Sequence, residues 1–193
     1  MPTVSIVYHS GTGHTAKMAE AVAHGAGSVP GITVNLLVIS GDDIVKGRYS
    51  NDVLFAKLDS SDAIIFGSPT YMGDVSGQMK CFLDAGGSRW YNRGWVNKLA
   101  AGFSVSAGPS GDKLHTLQTF IIFSMQCGML WVSHNEMPGD PNGKNRLSSY
   151  SGAMGQAGQE APEVAPNAAD RSAGEALGKR VAEAAIRWLA GAK

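Results

Sequence analysis

Short apolar runs alternate along the chain with segments in which apolar residues recur every three or four positions. The runs have the length of β-strands and lie at residues 4–8, 33–39, 63–67, 102–105 and 129–133. Both faces of each run are apolar, which is typical of strands in a parallel sheet that is covered on two sides. The alternation of strands and helices predicts an α/β fold built on a doubly wound parallel sheet.

The segments between the runs have the apolar spacing of helices. Five strands and five helices suit a three-layer arrangement with strand order 2-1-3-4-5 and helices on both faces of the sheet. The apolar positions are, in chain order, Met18 and Val22; Leu54, Phe55 and Leu58; Met79, Phe82 and Leu83; Leu114, Leu117, Ile121 and Met125; and Leu177, Val181, Ala185 and Trp188.

One stretch has no such period. Residues 134–169 are rich in Gly, Pro, Ser and Ala, and they predict a long irregular loop before the C-terminal helix of a single domain, residues 1–193. A connection of this length inside a compact domain is usually functional or mobile. Two interpretations stay open: a disordered excursion over the surface, or a loop that packs on a neighbouring subunit or flanks the site.

Composition narrows the classes of partner. The chain has 16 Lys and Arg against 16 Asp and Glu, without a basic cluster, so neither nucleic acid nor a membrane surface is an expected partner. Cys81 and Cys127 provide neither a disulfide framework nor a metal-ligand spacing, and we expect no metal. With no secretory signal and no long apolar run in the sequence, we expect a cytoplasmic protein.

The turn SGTGHT is the most specific chemical feature of the sequence. It follows the first strand and leads directly into a helix, so its backbone N–H groups and the positive end of the helix dipole converge on one point. Hydroxyl groups add further donors, and a dense donor set suits a terminal phosphate. We expect the phosphate to bind to Ser10, Gly11, Thr12, Gly13, His14 and Thr15, with the backbone N–H of His14 rather than its ring as the donor.

Rival motifs overlap this turn. Residues 11–16, GTGHTA, match the looser dinucleotide pattern G-x-G-x-x-A. However, His9 and Ser10 separate the pattern from the strand, and Asp42 comes too late for the acidic residue expected about 20 positions on. A P-loop NTPase is excluded because no G-K-[ST] follows. A glycine turn without a ligand is the bland interpretation, which the flanking hydroxyls disfavour.

Two further loops are unusual at the same predicted edge of the sheet. Ligands of such sheets bind at the carboxyl ends of the strands, next to the switch in strand order. The loop SPTYMGDVSG at residues 68–77 follows the third strand, and SAGPSGD at residues 106–112 follows the fourth. Small residues let the backbone approach a flat ring closely. One loop for a phosphate and two for a planar heterocycle describe a mononucleotide such as FMN.

At this point the sequence resembles a known family. SGTGHT is similar to the flavodoxin phosphate signature [ST]-x-T-G-x-T, and residues 67–84, GSPTYMGDVSGQMKCFLD, resemble the third-strand region of the WrbA-type NAD(P)H:quinone oxidoreductases. The similarity extends from residue 4 to about residue 132. It implies a flavodoxin-like fold, an FMN cofactor and a homotetramer. It also implies transfer of two electrons from NADH or NADPH to quinones by a ping-pong hydride mechanism.

The resemblance also implies roles for individual residues. Pro69, Thr70, Tyr71, Met72 and Gly73 would line the flavin ring, and Ser106, Ala107, Gly108, Pro109, Ser110 and Gly111 would lie at its pyrimidine edge. Trp90, together with Met72, would line the pocket in which nicotinamide and quinone stack. We expect no catalytic side chain, because the flavin N5 carries the hydride.

The chain departs from several relatives at two positions. Thr12 stands where they have Tyr, and Cys127, which we expect to be a small buried residue, stands where they have His. The absence of that His makes the quinone substrate a less secure expectation than the FMN cofactor. A flavodoxin-type electron carrier is a competing hypothesis, although a net charge of zero argues against docking on protein partners through a charged face. Two further hypotheses are an FMN-binding regulatory protein that uses the Trp90 region for contacts, and a reductase of free FMN.

Overall fold

A computed structural model describes residues 1–140 and 143–191, and it contains a central parallel sheet. Its principal strands are β1 (Thr3–Tyr8), β2 (Thr33–Val38), β5 (Ala63–Tyr71), β7 (Leu99–Ser106) and β8 (Leu130–Trp131), hydrogen-bonded in the order β2-β1-β5-β7-β8. This order is the predicted 2-1-3-4-5, so the flavodoxin-like fold class is confirmed. Two short strands, β3 (Ile44–Val45) and β4 (Arg48–Tyr49), form a separate antiparallel ribbon, and β6 (Asp74–Val75) pairs with the end of β5.

Helices cover both faces of the sheet. They are α1 (His14–Gly27), α2 (Asp52–Asp59), α3 (Gly77–Ala85), α4 (Gly87–Tyr91), α5 (Lys113–Gln126) and α6 (Ala168–Ala190), with a single 3₁₀ turn at Gly41–Asp43 among the described residues. Polar side chains cap several of them: Asn51 Oδ1 accepts from Leu54 N at the start of α2, and Asn167 Oδ1 accepts from Asp170 N at the start of α6. Such caps satisfy backbone donors that have no partner within the helix.

The fifth position of the sheet is shared by two strands. β8 pairs with the beginning of β7, and β9 (Ala153–Gln156) pairs with its end, from Phe103↔Ala153 to Ser106↔Gln156. The prediction of an irregular loop over 134–169 was therefore wrong for residues 153–156. The sequence AMGQ has no strand-like alternation, and the exposed backbone edge of β7 imposes the extended conformation on it. Residues 141 and 142 of the predicted loop, and 192 and 193 of the predicted domain, lie outside the described residues.

The sheet separates two hydrophobic clusters. One packs the sheet against α1 and α6 and contains Ile6, Met18 and Leu177; the other packs it against α2, α3 and α5 and contains Phe66, Phe82 and Phe120. The close contact between α1 and α6 requires glycine at position 178, because a Cβ there would lie 2.0 Å from the backbone oxygen of Val22. The position of α1, which begins at the phosphate turn, thus depends on α6.

The buried face of α5 differs from the predicted apolar stripe. Of Leu114, Leu117, Ile121 and Met125, only Leu117 is buried, and Leu114 and Met125 are largely exposed. The buried positions are instead Lys113, Thr116, Leu117, Phe120 and Ser124. Lys113 and Thr116 contact the loops at the carboxyl edge of the sheet, as described below, which is why the apolar period alone gave the wrong face.

Candidate functional site

The three predicted cofactor loops meet at one edge of the sheet because β1, β5 and β7 are adjacent and parallel. The turn after β1 touches the end of β5: a Cβ at Gly11 would lie 2.4 Å from the hydroxyl oxygen of Tyr71. The loop after β7 follows on the other side of β5. The structure therefore brings the residue groups 10–15, 69–73 and 106–111 together, as the sequence predicts for a mononucleotide site.

The hydroxyl of Ser10 stabilises the turn at residues 10–15. Ser10 Oγ accepts hydrogen bonds from Gly13 N at 3.1 Å and from Ala16 N at 3.2 Å. Gly13 has φ 93°, a conformation that other residues rarely adopt, and it stands at the N-cap of α1 without a side-chain cap. In this way the first turn of α1 faces the loop with its N–H groups available.

A phosphate fits this turn only if these N–H groups have no acceptor within the protein. In the described parts of the chain, no protein acceptor is hydrogen-bonded to the backbone N–H of Gly11, Thr12, His14 or Thr15. Thr15 lies in the same first turn of α1 and is only 2% exposed. Unpaired donors beside a helix N-terminus are the donor set that an anion requires. The phosphate of FMN therefore fits this turn.

A distant segment lies against the phosphate turn. His14 Nε2 donates to the backbone oxygen of Glu160 at 2.7 Å, and its Nδ1 lies 2.9 Å from Thr12 Oγ1. Pro162 packs so closely on Gly13 that a Cβ there would lie 2.7 Å from Pro162 Cγ. Backbone N–H groups at Glu160 and Gly158 lower the pKa of the Glu160 carboxyl. Part of the segment 134–169 thus flanks the site, one of the two interpretations left open by the sequence.

The hairpin after β5 presents an exposed apolar side chain at its tip. Thr70 pairs with Val75 and Tyr71 with Asp74, which leaves Met72 and Gly73 as the two turn residues, with φ 50° and 88°. Both values are positive, as in a type I′ turn, and a methionine in this conformation is strained. Met72 is fully exposed and Tyr71 is 46% exposed. The tip therefore combines a strained backbone with an exposed apolar side chain.

Thr70 itself is part of a buried hydroxyl network. Its Oγ1 lies 2.7 Å from Ser104 Oγ and 2.7 Å from Thr116 Oγ1, so it joins β5, β7 and α5. A second network lies beside it, in which Ser76 Oγ caps α3 and also contacts His9 Nδ1 at 2.9 Å. These networks fix the ends of the strands that carry the loops.

The loop at residues 106–111 encloses a lysine that was not predicted from the sequence. Lys113 is fully buried, and its Nζ donates to Ser106 Oγ at 2.8 Å and to the backbone oxygens of Gly108 at 2.8 Å and Pro109 at 3.0 Å. Burial lowers the pKa of Lys113 to about 8. A charged residue in the first turn of a helix looks solvated in the sequence, so no pattern indicated this role.

The segment after β9 supports the same loop. Gln156 Nε2 donates to the backbone oxygen of Ala107 at 3.2 Å, and Ala157 N donates to that of Ser106 at 3.0 Å. Gln156 N in turn donates to Asp170, a buried carboxylate that also accepts two hydrogen bonds from Arg146. The loop at residues 106–111 is therefore anchored to α6 through β9.

Trp90 lies apart from these loops within one chain. It is 50% exposed and borders a cleft of about 540 Å³ between α3, α4 and α5, together with Asp74, Phe123 and Cys127. Within the described residues, none of the predicted cofactor residues lines this cleft. Cys127 is buried, as expected, and burial raises the pKa of its thiol.

The part of the chain that the structure describes was also searched for membrane-spanning helices and for metal-binding clusters. None of the helices described is both long and apolar enough to cross a membrane. Residues 1–140 and 143–191 also contain no group of three or more His, Cys, Asp or Glu side chains placed to hold a metal ion.

Comparison with known proteins identifies the family. The sequence profile of the family described as "NADPH-dependent FMN reductase" matches residues 8–140, and the chain belongs to this family. A WrbA-like flavodoxin from Agrobacterium tumefaciens has a similar solved structure, with a TM-score of 0.75 and 38% identity over 97% of this chain and 99% of that one. The predictions of a WrbA-type enzyme, of FMN as cofactor and of a nicotinamide nucleotide as donor are thereby confirmed.

Two curated relatives carry different names. An "NAD(P)H dehydrogenase (quinone)" of Geotalea uraniireducens is 35% identical, over 95% of this chain and 98% of that protein. "Flavodoxin FldP" of Pseudomonas aeruginosa is 32% identical, over 94% of this chain and 96% of that protein. The relatives therefore include both leading classes considered from the sequence, the quinone oxidoreductase and the flavodoxin.

Proposed function

We propose that this protein is an FMN-dependent oxidoreductase that moves two electrons from NADH or NADPH to a quinone by a ping-pong mechanism. The observation that carries the proposal is the convergence of the phosphate turn, the Met72–Gly73 hairpin tip and the 106–111 loop at one edge of the sheet. The relatives named NAD(P)H dehydrogenase (quinone) support the choice of acceptor.

The residues of this chain would bind and orient the cofactor. The unpaired N–H groups of the turn at residues 10–15 would hold the phosphate, and Tyr71 beside Gly11 would lie between this turn and the ring. Backbone groups of the 106–111 loop, fixed by Lys113 and Gln156, would hold the pyrimidine edge. Preorganised polar groups of this kind lower the reorganisation needed during electron transfer.

Bound FMN would supply the two-electron chemistry, namely acceptance of a hydride from the nicotinamide and its donation to the quinone, whose second proton would come from solvent. The role of the chain is to keep one face of the site open to both substrates in turn. Met72, fully exposed at the hairpin tip, would contact the flat rings that enter there. No general base in the chain is required by this scheme.

We also propose a homotetramer in which Trp90 contributes to the substrate pocket. In a single chain Trp90 and Tyr91 are both largely exposed, together with Ile122 and Met125 on α5. Apolar patches of this kind often mark interfaces. A second copy packed on this face would cover the patch and place Trp90 near a subunit boundary. Sedimentation of the native protein tests the assembly, and a monomer at micromolar concentration would contradict it.

Steady-state kinetics test the mechanism. With NADH or NADPH varied at several fixed benzoquinone concentrations, a ping-pong enzyme gives parallel lines in double-reciprocal plots. Intersecting lines would show that both substrates are bound at once and would reject the mechanism. The same assay shows which nucleotide the protein prefers.

A flavodoxin-type carrier is the second candidate, and the similarity to flavodoxin FldP favours it. A carrier would accept electrons from a reductase protein and react slowly with free NADH or NADPH. The two candidates therefore differ in one rate, the direct reduction of bound FMN by the nucleotide.

A further inference from the structure

Lys113 holds a positive charge beneath the loop that is predicted to contact the pyrimidine edge of the flavin. It is the first residue of α5, it is fully buried, and its ammonium donates to three oxygens of the loop, on Ser106, Gly108 and Pro109. An ammonium has three N–H donors, so this arrangement uses all of them. The ammonium is therefore fixed both in its position and in the orientation of its N–H bonds.

No carboxylate neutralises this charge within the described residues. Among the ion pairs of residues 1–140 and 143–191 there is none to Lys113. Asp170 is the acidic group that acts on Lys113, but its two oxygens already accept hydrogen bonds from Arg146, whose own charge opposes that of Lys113. The positive end of the α5 dipole adds to the unfavourable field. A buried cation without a counter-charge is costly, so an anion that forms beside this loop would be stabilised by it.

The reaction itself produces an anion at this place. When bound FMN accepts a hydride, it gains two electrons and one proton, and its ring acquires a net charge of one negative unit. We propose that Lys113 is a positioning residue that offsets this charge through the 106–111 loop, so that the site binds reduced FMN more tightly than a neutral side chain would allow. The inference deepens the proposed function and rests on its FMN site.

Redox potentiometry of bound FMN tests this proposal without NAD(P)H or a quinone. The full-length protein is loaded with FMN and titrated anaerobically with dithionite in the presence of a reference dye. In Lys113→Met, the affinity for reduced FMN relative to oxidised FMN should fall at least tenfold, which for two electrons corresponds to a midpoint potential lower by about 30 mV. Lys113→Arg, which keeps the charge, should restore most of the difference.

Lys98 offers a matched control at the other end of the same strand. It is partly buried, and its Nζ donates to the backbone oxygens of Asp59 and Ser61, just before β7 begins. Lys98→Met removes a charge of the same kind far from the cofactor loops, and it should leave the potential unchanged. An equal decrease in both variants would show a general charge effect and would overturn the proposal.

The remaining outcomes are also decisive. An unchanged potential in Lys113→Met with FMN bound would overturn the proposal. If Lys113→Met does not fold, Lys113→Gln, which is neutral but still donates to the loop oxygens, carries the same prediction. A lower potential in these variants, combined with a native protein that NADH and NADPH fail to reduce, would reject the proposed function and leave the role of Lys113 intact.

Discussion

Substitution of Ser10 by alanine isolates the phosphate contribution to cofactor binding. The variant removes the acceptor of two hydrogen bonds, from Gly13 N and Ala16 N, that keep the turn in shape. A hydrogen bond contributes about 0.5–1.5 kcal/mol, so the loss is about 1–3 kcal/mol. If this energy shapes the turn for the phosphate, the Kd for FMN rises roughly 5- to 150-fold, since about 1.4 kcal/mol is a factor of ten.

Fluorescence titration of the apoprotein with FMN and with riboflavin measures this effect. Riboflavin lacks the phosphate, so its Kd should change much less than that of FMN. Ser28→Ala is the control at the opposite end of α1, where Ser28 Oγ donates to the backbone oxygen of Gly25, and it should leave both affinities unchanged. The reasoning is refuted if Ser10→Ala weakens FMN and riboflavin equally, or weakens neither.

Three further variants address packing, acid stability and the substrate pocket. Gly178→Ala should lower the free energy of unfolding by about 1–3 kcal/mol in urea, because its Cβ would overlap the backbone of Val22; Gly27→Ala, with its nearest neighbour at 3.9 Å, should not. Burial lowers the pKa of His134 below its ordinary 6.5, so the free energy of unfolding should fall as the pH drops below about 6.5. This fall should be smaller in His134→Gln than in His24→Gln, which serves as an exposed control. Trp90→Ala should reduce kcat/KM for the quinone roughly tenfold with an unchanged Kd for FMN, which corresponds to the loss of about one aromatic contact; unchanged turnover would remove Trp90 from the pocket.

Burial disfavours the charged form of His134 and lowers its pKa, against the smaller, opposite effect of the hydrogen bond to Ala173. Nε2 donates to the backbone oxygen of Ala173, and Nδ1 accepts from Glu136 N, so both ring nitrogens are satisfied only in the neutral form. The unfolded chain takes up the proton first as pH falls, and the fold loses stability through the pH range below the ordinary pKa. A stability profile that is flat from pH 7 to pH 5 would contradict this account.

The sheet and the meeting of three unusual loops at one of its edges could be predicted from the sequence because their signals are local. Apolar runs mark the strands, and glycines and hydroxyl residues mark the turn at residues 10–15 within six consecutive positions. Parallel strand order then brings the loops to one edge without further information. Cys127 is likewise buried, as its apolar surroundings in the sequence indicated.

The parts that could not be predicted depend on distant contacts. His14 and Glu160 are 146 positions apart, and nothing in either neighbourhood indicates that they meet. β9 is extended because the edge of β7 is available, and the apolar spacing of α5 gave no sign that Lys113 and Thr116 lie on its buried face. Polar residues buried for the sake of a site break the hydrophobic pattern that sequence interpretation relies on.

The central claim is that free NADH or NADPH reduces the FMN of this protein directly. Anaerobic mixing of the FMN-loaded protein with each nucleotide, followed by the visible absorbance of the flavin, measures this step alone. We expect rapid and complete bleaching with at least one nucleotide, and full recovery of the colour after one equivalent of benzoquinone is added. Flavin that stays yellow with both nucleotides, but is bleached quickly by a reductase protein, would contradict the account and identify an electron carrier.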